Sequence, residues 1–509
     1  MPEEFKPHIG KNVIETLTLG MYDDSRFVFR EYVQNAADQI DIAFESGVLN
    51  QKSEGQIKIL IDPEGKTIFI EDNATGINSK EVLRFLGDVA NSSKDREQRK
   101  GFRGIGRLGG LGYCDKLIFE TSALGEQLKS VMSLDAKLLR QIINDSSDNM
   151  DASSVISVIT SVNWDKEEAS KHYFKITLVN VSTPKLLDVG SVKEYLSMVA
   201  PLPFRADFKF TKEIKDHFKK NNFSFDEYKV KVNDETIFKS YKNTFDDETG
   251  ISDLIGVDFF DVRDDQQDLL ALGWFGYRNL SNVVLPVENK ERGIRLRKSN
   301  IALGDEGTLS RFFKAERTNL RFIGEVHAIS NNFIPNARRD YFNDNKTCQT
   351  FEKNLTKLLE EENLENRLAQ TASMLHNRLK DIEAFKNAKN EFESKQGRFE
   401  SEKAEKDFID HLKVAESKAQ NALKAISKIQ QTTLKDKTVG RLYQTIVADK
   451  DLSIPNAENI TLNKYDPPTF KKLRKNESEI VIQIFKLIDD NLKTADAGKL
   501  KKLILEEFN

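Results

Sequence analysis

The sequence predicts an α+β protein with a long-helical C-terminal region, and three observations carry that prediction. A helix-period stripe over residues 25–46 leads into paired strand-like runs, and this alternation recurs to about residue 350. Beyond residue 350 Glu, Lys, Asn, Gln and Ala dominate, and Gly397 is the only Gly or Pro between Phe351 and Thr432. Residues 8–20 and 25–46 read as helices, the second ending near Gly47. QIKILI (56–61) and TIFIE (67–71) flank Asp62-Pro63-Glu64-Gly65, the signal of a β-hairpin. Asn78 and Glu81 are spaced as a capping box for a helix over 79–88. Strands are expected over 115–121, 127–134, 153–163 and 172–180, and a helix over 191–198. Hairpins with helices on one face make an α+β sandwich.

The Pro201-Leu202-Pro203 break closes the first domain, drawn at 1–205. A second α+β domain, 206–350, has strand-like pieces at 226–239, 269–276 and 321–329. Leu355, Leu359, Leu368, Leu375, Leu379 and Ile382 recur at helical steps, so 351–435 reads as long helices, a hairpin turning near Gly397. The last segment, 436–509, ends in an amphipathic helix over about 476–506 and offers a dimerisation surface.

Composition narrows the function classes. With 39% hydrophobic and 31% charged residues the chain can bury ordinary cores and face water. A net charge of −4 gives no global basic field to draw it to nucleic acid. Its two cysteines, Cys114 and Cys348, encode no disulfide framework, and its six histidines show no metal-ligand spacing. No apolar run approaches the roughly 20 residues that span a bilayer, and MPEEFKPHIGKN lacks a signal-peptide layout. The expectation is a cytoplasmic protein with no membrane partner.

The chemistry concentrates in the first 112 residues. In REYVQNAAD (30–38), Glu31, Asn35 and Asp38 fall on one helix face, and Phe29, Val33, Ala37, Ile40 and Phe44 form an apolar stripe on the other. A carboxylate one turn from a carboxamide can activate water beside a metal-bound phosphate; the same spacing also suits a solvated polar face. Asp72-Asn73-Ala74-Thr75-Gly76-Ile77 follows a strand, where Asp72 can accept from a base amine and small residues let the base approach the backbone. Ser92-Ser93-Lys94 reads either as a cation near phosphates or as surface. Glycines 101, 104, 106, 109, 110 and 112 would let the main chain wrap an anion. Gly104, Gly106 and Gly109 fit the dinucleotide pattern, but SSKDREQRK before them is no buried strand, and there is no P-loop.

The order E-x3-N-x2-D, D-x3-G, G-x2-G-x-G resembles the ATP-binding domain of the GHKL superfamily (gyrase, heat-shock chaperone, histidine kinase, MutL) over residues 10–180. Within it the chain is most similar to the ninety-kilodalton heat-shock chaperone, and Gly-Phe-Arg-Gly after Ser-Lys is similar to the MutL branch. The resemblance implies a Bergerat α/β sandwich that binds ATP and Mg2+. It implies Glu31 as general base, Asn35 as magnesium ligand, and Asp38 lining the nucleotide pocket. Asp72 would read the adenine amine and Gly76 complete the base pocket, with Gly101, Gly104, Ile105 and Gly106 on the phosphate-side lid hinge. The chain departs from the family at Ala74, where a glycine is usual, which narrows the expected adenine pocket. It departs again at Asn91, where the chaperone pattern has a lysine that Lys94 would replace.

Phe-Ile-Pro-Asn-Ala-Arg-Arg-Asp-Tyr-Phe (333–342) is similar to the chaperone's middle-domain loop, which places Arg339, with Arg338 second, as a sensor of the terminal phosphate. The other reading is a surface pair bridged to Asp340. Arg292, Arg295, Arg297 and Lys298 form a basic cluster on a strand, read as a solvated face or as a contact for nucleic acid or an acidic partner. The expected function is an ATP-hydrolysing, chaperone-like conformational machine that forms a homodimer and remodels a protein partner. The alternative is a nucleic-acid-associated clamp of the MutL or Microrchidia sort, with an accessory role in a bacterial defence module also open.

Overall fold

The structure is a computed structural model that describes residues 9–18, 24–88, 106–147, 149–247, 250–278, 283–361, 364–395, 399, 402–433, 437–448, 450–454, 470–492 and 494–508. The chain divides into two compact units, Met1–Arg367 and Leu368–Asn509.

The first unit begins with helices α1 (Asn12–Thr18) and α2 (Phe27–Glu45) and the hairpin β1 (Gln56–Asp62) and β2 (Thr67–Asp72). After α3 (Val82–Gly87) come β3 (Lys116–Ser122), β4 (Leu128–Asp135), α4 (Ala136–Asn144), α5 (Ala152–Ile159), β5 (Thr160–Lys166) and β6 (Tyr173–Val179). Helices α6 (Pro184–Leu187), α7 (Val189–Val199) and α8 (Thr211–Lys220) precede the short strands β7 (Lys229–Val232) and β8 (Glu235–Thr236). Eight strands form one sheet in the order β5-β4-β3-β6-β2-β1-β7-β8, antiparallel except where β7 runs parallel to β1. This sheet therefore continues past residue 205 through β7 and β8, whose turn places Asn233 and Asp234 at φ of 47° and 65°.

Alternation dictates what the first sheet buries. In β2 the buried positions are Ile68, Ile70 and Asp72, so the period that carries two isoleucines inward carries Asp72 with them. Helix α2 lies in the same core, where Phe29, Val33, Ala37 and Ile40 are buried as expected. Phe44 is instead 48% exposed, in the last turn of the helix, and the opposite face is not solvated: Glu31 and Asp38 are buried too. Three local expectations fail for identifiable reasons. Residues 153–163 are not one strand, because the Asp151 carboxylate caps α5 by accepting from Ser154 N, and the strand starts only at Thr160. The capping box at Asn78 does not form; Asn78 accepts from Lys80 N and Glu81 pairs with Arg84. An unanticipated helix, α4, starts where Asp135 accepts from Leu138 N.

The second sheet has the order β13-β12-β14-β11-β10-β9, from β9 (Thr244–Asp247), β10 (Gly250–Arg263), β11 (Leu269–Arg278), β12 (Gly293–Lys298), β13 (Ile301–Leu303) and β14 (Ile323–Ala328). The strand-borne basic cluster is not a surface: Arg295 is 5% exposed and Arg297 fully buried. Both the solvated-face and the nucleic-acid readings of that strand face fail on this burial. Arg297 donates to Met198 O at 2.7 Å and Asn300 O at 2.9 Å, and its guanidinium meets Glu325. Lys239 Nζ lies 2.7 and 2.9 Å from the two Glu325 oxygens, and His327 Nε2 is 2.9 Å from Oε2. Three buried charged or polar groups thus surround one carboxylate, and one of them, Arg297, clamps the Met198 carbonyl in the last turn of α7 to the second sheet. Arg26 in turn donates to Ser191 of α7 at 3.1 and 3.0 Å, joining α7 to the start of α2. Helix α9 (Lys346–Thr356) packs Phe351 on Phe333 at 5.3 Å between ring centroids.

α10 (Leu364–Lys395), most of which belongs to the second unit, and α11 (Glu402–Thr433) form a hairpin, with Phe392 and Phe408 rings 5.9 Å apart at its closed end. Gly397, where the turn is expected, lies outside the described residues. α12 (Lys437–Val447) follows, and the expected single helix over 476–506 is two, α13 (Lys475–Asn491) and α14 (Thr494–Phe508), because Leu492 is extended. They share a small core of Phe470, Val481, Phe485, Ile488 and Ala497. Among the described residues no helix is long and apolar enough to cross a membrane.

The buried junction predicts an acid-sensitive fold. Burial holds His327 neutral down to about 4, against 6.5 for the free side chain. Between those values the unfolded chain binds a proton that the folded one does not, so stability falls as pH drops from 6.5 toward 4, by at most about 1.4 kcal/mol per pH unit. Glu325, held well below its ordinary range by Arg297 and Lys239 against the opposing effect of burial, adds loss only below about 4.5. Urea titrations at pH 6.5, 5.5 and 4.5 should show this decline, and His327→Phe should flatten it.

Candidate functional site

Helix α2 carries Glu31, Asn35 and Asp38, with Glu31 against Gly106 and Asp38 near Tyr228. Glu31 is 6% exposed, yet its Oε1 accepts no aligned hydrogen bond. Its charge is met by two arginines: Arg339 Nε at 2.9 Å and Arg30 Nη2 at 3.7 Å. Arg339 is more than three hundred residues away in sequence. It reaches the helix from a tight loop closed by the Pro335–Phe342 bridge and by Asn336 N donating to Tyr341 O at 2.9 Å. Arg339 itself has φ 56°, a left-handed conformation that is costly without glycine and needs support from its surroundings. That support includes Gly304, just after β13, whose N–H donates to Arg339 O at 2.9 Å. A Cβ at Gly304 would stand 2.6 Å from Asp340 O, so glycine is what allows the loop to seat there. The neighbouring Arg338 is exposed and contributes only its carbonyl, 3.5 Å from Arg30 Nη2.

One turn along α2, Asn35 is half-buried, and no hydrogen bond from its side chain is found among the described residues. A free amide oxygen beside a carboxylate suits a hard cation that is held mainly by phosphates and water. Among the described residues no group of three or more His, Cys, Asp or Glu side chains could hold a metal, so a cation here would depend on such a shared shell. Asp38 is buried at 1% exposure, close enough to Tyr228 to help raise that phenol's pKa, though less than burial, Asp226 and Asp41 do.

At the end of β2, Asp72 is 4% exposed and its Oδ1 accepts from Ala74 N at 3.1 Å. Ala74 is fully buried and belongs to the core, so its methyl is directed into packing, not into a pocket. Gly76 has φ +64°, and a Cβ there would lie 1.8 Å from Ser122 O. Thr121, a residue the sequence patterns did not single out, ties this loop down: it accepts from Ile77 N and donates to Tyr173 O, both at 2.8 Å. His172 sits 2.7 Å from Ala74 O. Because a carbonyl only accepts, Nδ1 carries the proton in that contact.

Of the glycine run, Gly106 opens a 3₁₀ segment, Gly106–Gly112, that lies directly on α2. A Cβ at Gly106 would come 2.5 Å from Glu31 Oε2, and one at Gly109 2.9 Å from the Phe27 ring. Leu108 and Leu111 point into the core between them. At 106 and 109 a side chain would displace the ends of Glu31 and Phe27, so glycine lets the segment lie close on the helix. Lys94, Gly101, Gly104 and Ile105 lie outside the described residues.

Residues 27–168 match the family model described as "Histidine kinase-, DNA gyrase B-, and HSP90-like ATPase". Glu31, Asn35, Asp38, Asp72, Gly76 and Gly106 fall inside that segment, and Arg339 falls outside it. Similar curated proteins include the chaperone protein HtpG of Halalkalibacterium halodurans, 27% identical over 140 residues, covering 25% of this chain and 22% of that one. HtpG of Chlorobium phaeobacteroides is 32% identical over 141 residues (24% and 22%), and that of Clostridium perfringens 30% over 137 (24% and 22%). The chain thus spans about a fifth of the length of these relatives. The resemblance to GHKL ATPases holds over residues 27–168, in a mixed α+β fold with a helical C-terminal region.

The loop geometry makes one substitution decisive. Gly76→Ala combines left-handed backbone with a collision against Ser122 O, so a loss of at least ~2 kcal/mol is expected in urea unfolding. An unchanged midpoint would mean that the 72–77 loop is not held as described.

Proposed function

We propose that this protein binds ATP and hydrolyses it with Mg2+, using nucleotide state to move its second domain against the first. The observation that carries the reading is the 2.9 Å contact between Arg339 of the second domain and Glu31 of α2. A basic residue brought from another domain to a buried carboxylate inside a GHKL-like segment can exchange that carboxylate for a terminal phosphate. Glu31 would orient the attacking water and take its proton as the γ-phosphoryl group leaves ADP. Arg339 would stabilise the charge that develops on the transferred group. Asp72 would accept from the exocyclic amine of adenine, with Gly76 keeping the backbone low beneath the base.

Asn35 is the residue available to hold magnesium, whose contribution when bound is to neutralise charge on the phosphate oxygens. The chain's own part is positioning: α2 sets Glu31 and Asn35 one turn apart, and the second-domain loop sets Arg339 against them. With the first sheet running past 205 to β8, limits near 350 and 435 divide the remainder into middle domain and helical arm.

Homodimerisation and action on a protein partner are proposed with it, in line with the chaperone name of the similar proteins. Support for a dimer comes from α13, which leaves Ile480, Ile484 and Leu487 exposed at helical spacing, and from exposed Leu500 and Leu503 on α14.

Hydrolysis assays test the reading directly. Glu31→Ala should retain ATP binding and lose about 10²-fold or more in turnover, and Arg339→Ala should lose about 10²–10³-fold. Asp72→Asn, which turns one acceptor oxygen into a donor, should weaken ATP binding by about tenfold or more. Full turnover in Glu31→Ala would remove the general-base role. Light scattering with and without a non-hydrolysable ATP analogue should report a dimer that Leu487→Asp dissociates; a wild-type monomer under both conditions would exclude that interface.

A further inference from the structure

We infer that Tyr32 is a positioning residue that locks the main chain of Gly106–Gly112 to α2, and thereby sets the phosphate end of the nucleotide site. The inference rests on the ATP reading above and adds to it a residue that touches neither the base nor Glu31's partner arginine.

Tyr32 follows Glu31 on α2 and is 1% exposed. Its hydroxyl donates to Arg107 O at 3.0 Å and accepts from Gly110 N at 3.1 Å. One side chain thus fixes both ends of a four-residue stretch by its main-chain groups. Burial raises the phenol's pKa far above its ordinary range, so the hydroxyl keeps the proton it donates. The same stretch is pressed against α2 by absent side chains. A Cβ at Gly110 would meet Tyr32 Oη at 2.6 Å, and one at Gly106 would meet Glu31 Oε2 at 2.5 Å. Helix and glycine segment therefore pack closer than side chains at these positions would allow, with Gly106 beside the carboxylate that would address the terminal phosphate.

A Phe or Leu at position 32 could fill the volume but would leave Gly110 N–H and Arg107 O without this partner. Both are main-chain groups packed against the helix, and an unmet buried group costs more than a bond gains. The segment would then slide or lift, and main-chain donors facing the phosphates would move with it. The base end would not move, because Asp72, Thr121 and Gly76 are held by separate contacts.

The test is calorimetric titration of the full chain, wild type and Tyr32→Phe, with adenosine, ADP and a non-hydrolysable ATP analogue, each with magnesium. ADP and the analogue should bind the variant about tenfold more weakly, and adenosine should bind both proteins equally. Equal weakening of all three ligands, or no change in any, overturns the inference, since a merely structural role would not separate phosphate-bearing ligands from the nucleoside. Gly110→Ala attacks the same joint from the other side and should show the same selective loss; unchanged ADP affinity there also overturns it. Failure of the wild type to bind any of the three ligands sinks the ATP reading itself, a result distinct from any difference between variant and wild type.

Discussion

A carboxylate sealed inside protein has to be paired, and Glu31 is paired with a residue that the chain reaches only after forming the second sheet. The 2.9 Å contact to Arg339 makes the buried α2 tolerable and ties the two sheets of the first unit to one point. Much of the surrounding geometry follows from it. Gly106 is bare because Glu31 Oε2 occupies the space of a Cβ, and Gly304 is bare because the loop carrying Arg339 closes on it. The left-handed backbone at Arg339 persists because the surrounding loop over-determines it.

The second anchor is the Glu325 junction. Pairing Lys239, Arg297 and His327 around one fully buried carboxylate is expensive in desolvation, and an apolar cluster of the same volume could be as stable. What the ionic version supplies is direction. Arg297 divides its remaining donors between Met198 O in the last turn of α7 and Asn300 O, and α7 is joined to α2 through Arg26 and Ser191. The second sheet is thereby registered against the helix that carries Glu31, which is what brings a loop from residue 339 to residue 31. On this view the junction's chemistry serves placement more than stability.

The Asp72 end of the site follows a different logic. Asp72 is inward because it shares the period of Ile68 and Ile70, and the loop after it is shaped by one residue that must lack a side chain and one threonine that bridges two strands. It is built wholly within the first sheet, whereas the other end needs both sheets.

Much of this was legible in the sequence because it is local. The β1–β2 hairpin, the α2 stripe and most strands of the first sheet depend on periodicity and turn residues that lie within a few positions of one another. Glu31, Asn35 and Asp38 share a helix face by spacing alone, and the Glu31–Asn35–Asp72–Gly106 order needed no contact to be seen. Local chemistry also misled where a stronger local signal intervened: the Asp151 cap turned a β-branched run into α5, and extended Leu492 divided the last helix. The tertiary structure decided whatever depends on burial and on distance through space. It made Arg295 and Arg297 interior residues, because a strand sequence does not reveal what packs on either face. It separated Arg339 from Arg338, since adjacent arginines are equivalent until a loop's backbone turns one inward. Only the fold could show that Tyr32, one residue beyond the motif's carboxylate, holds the glycine segment in place.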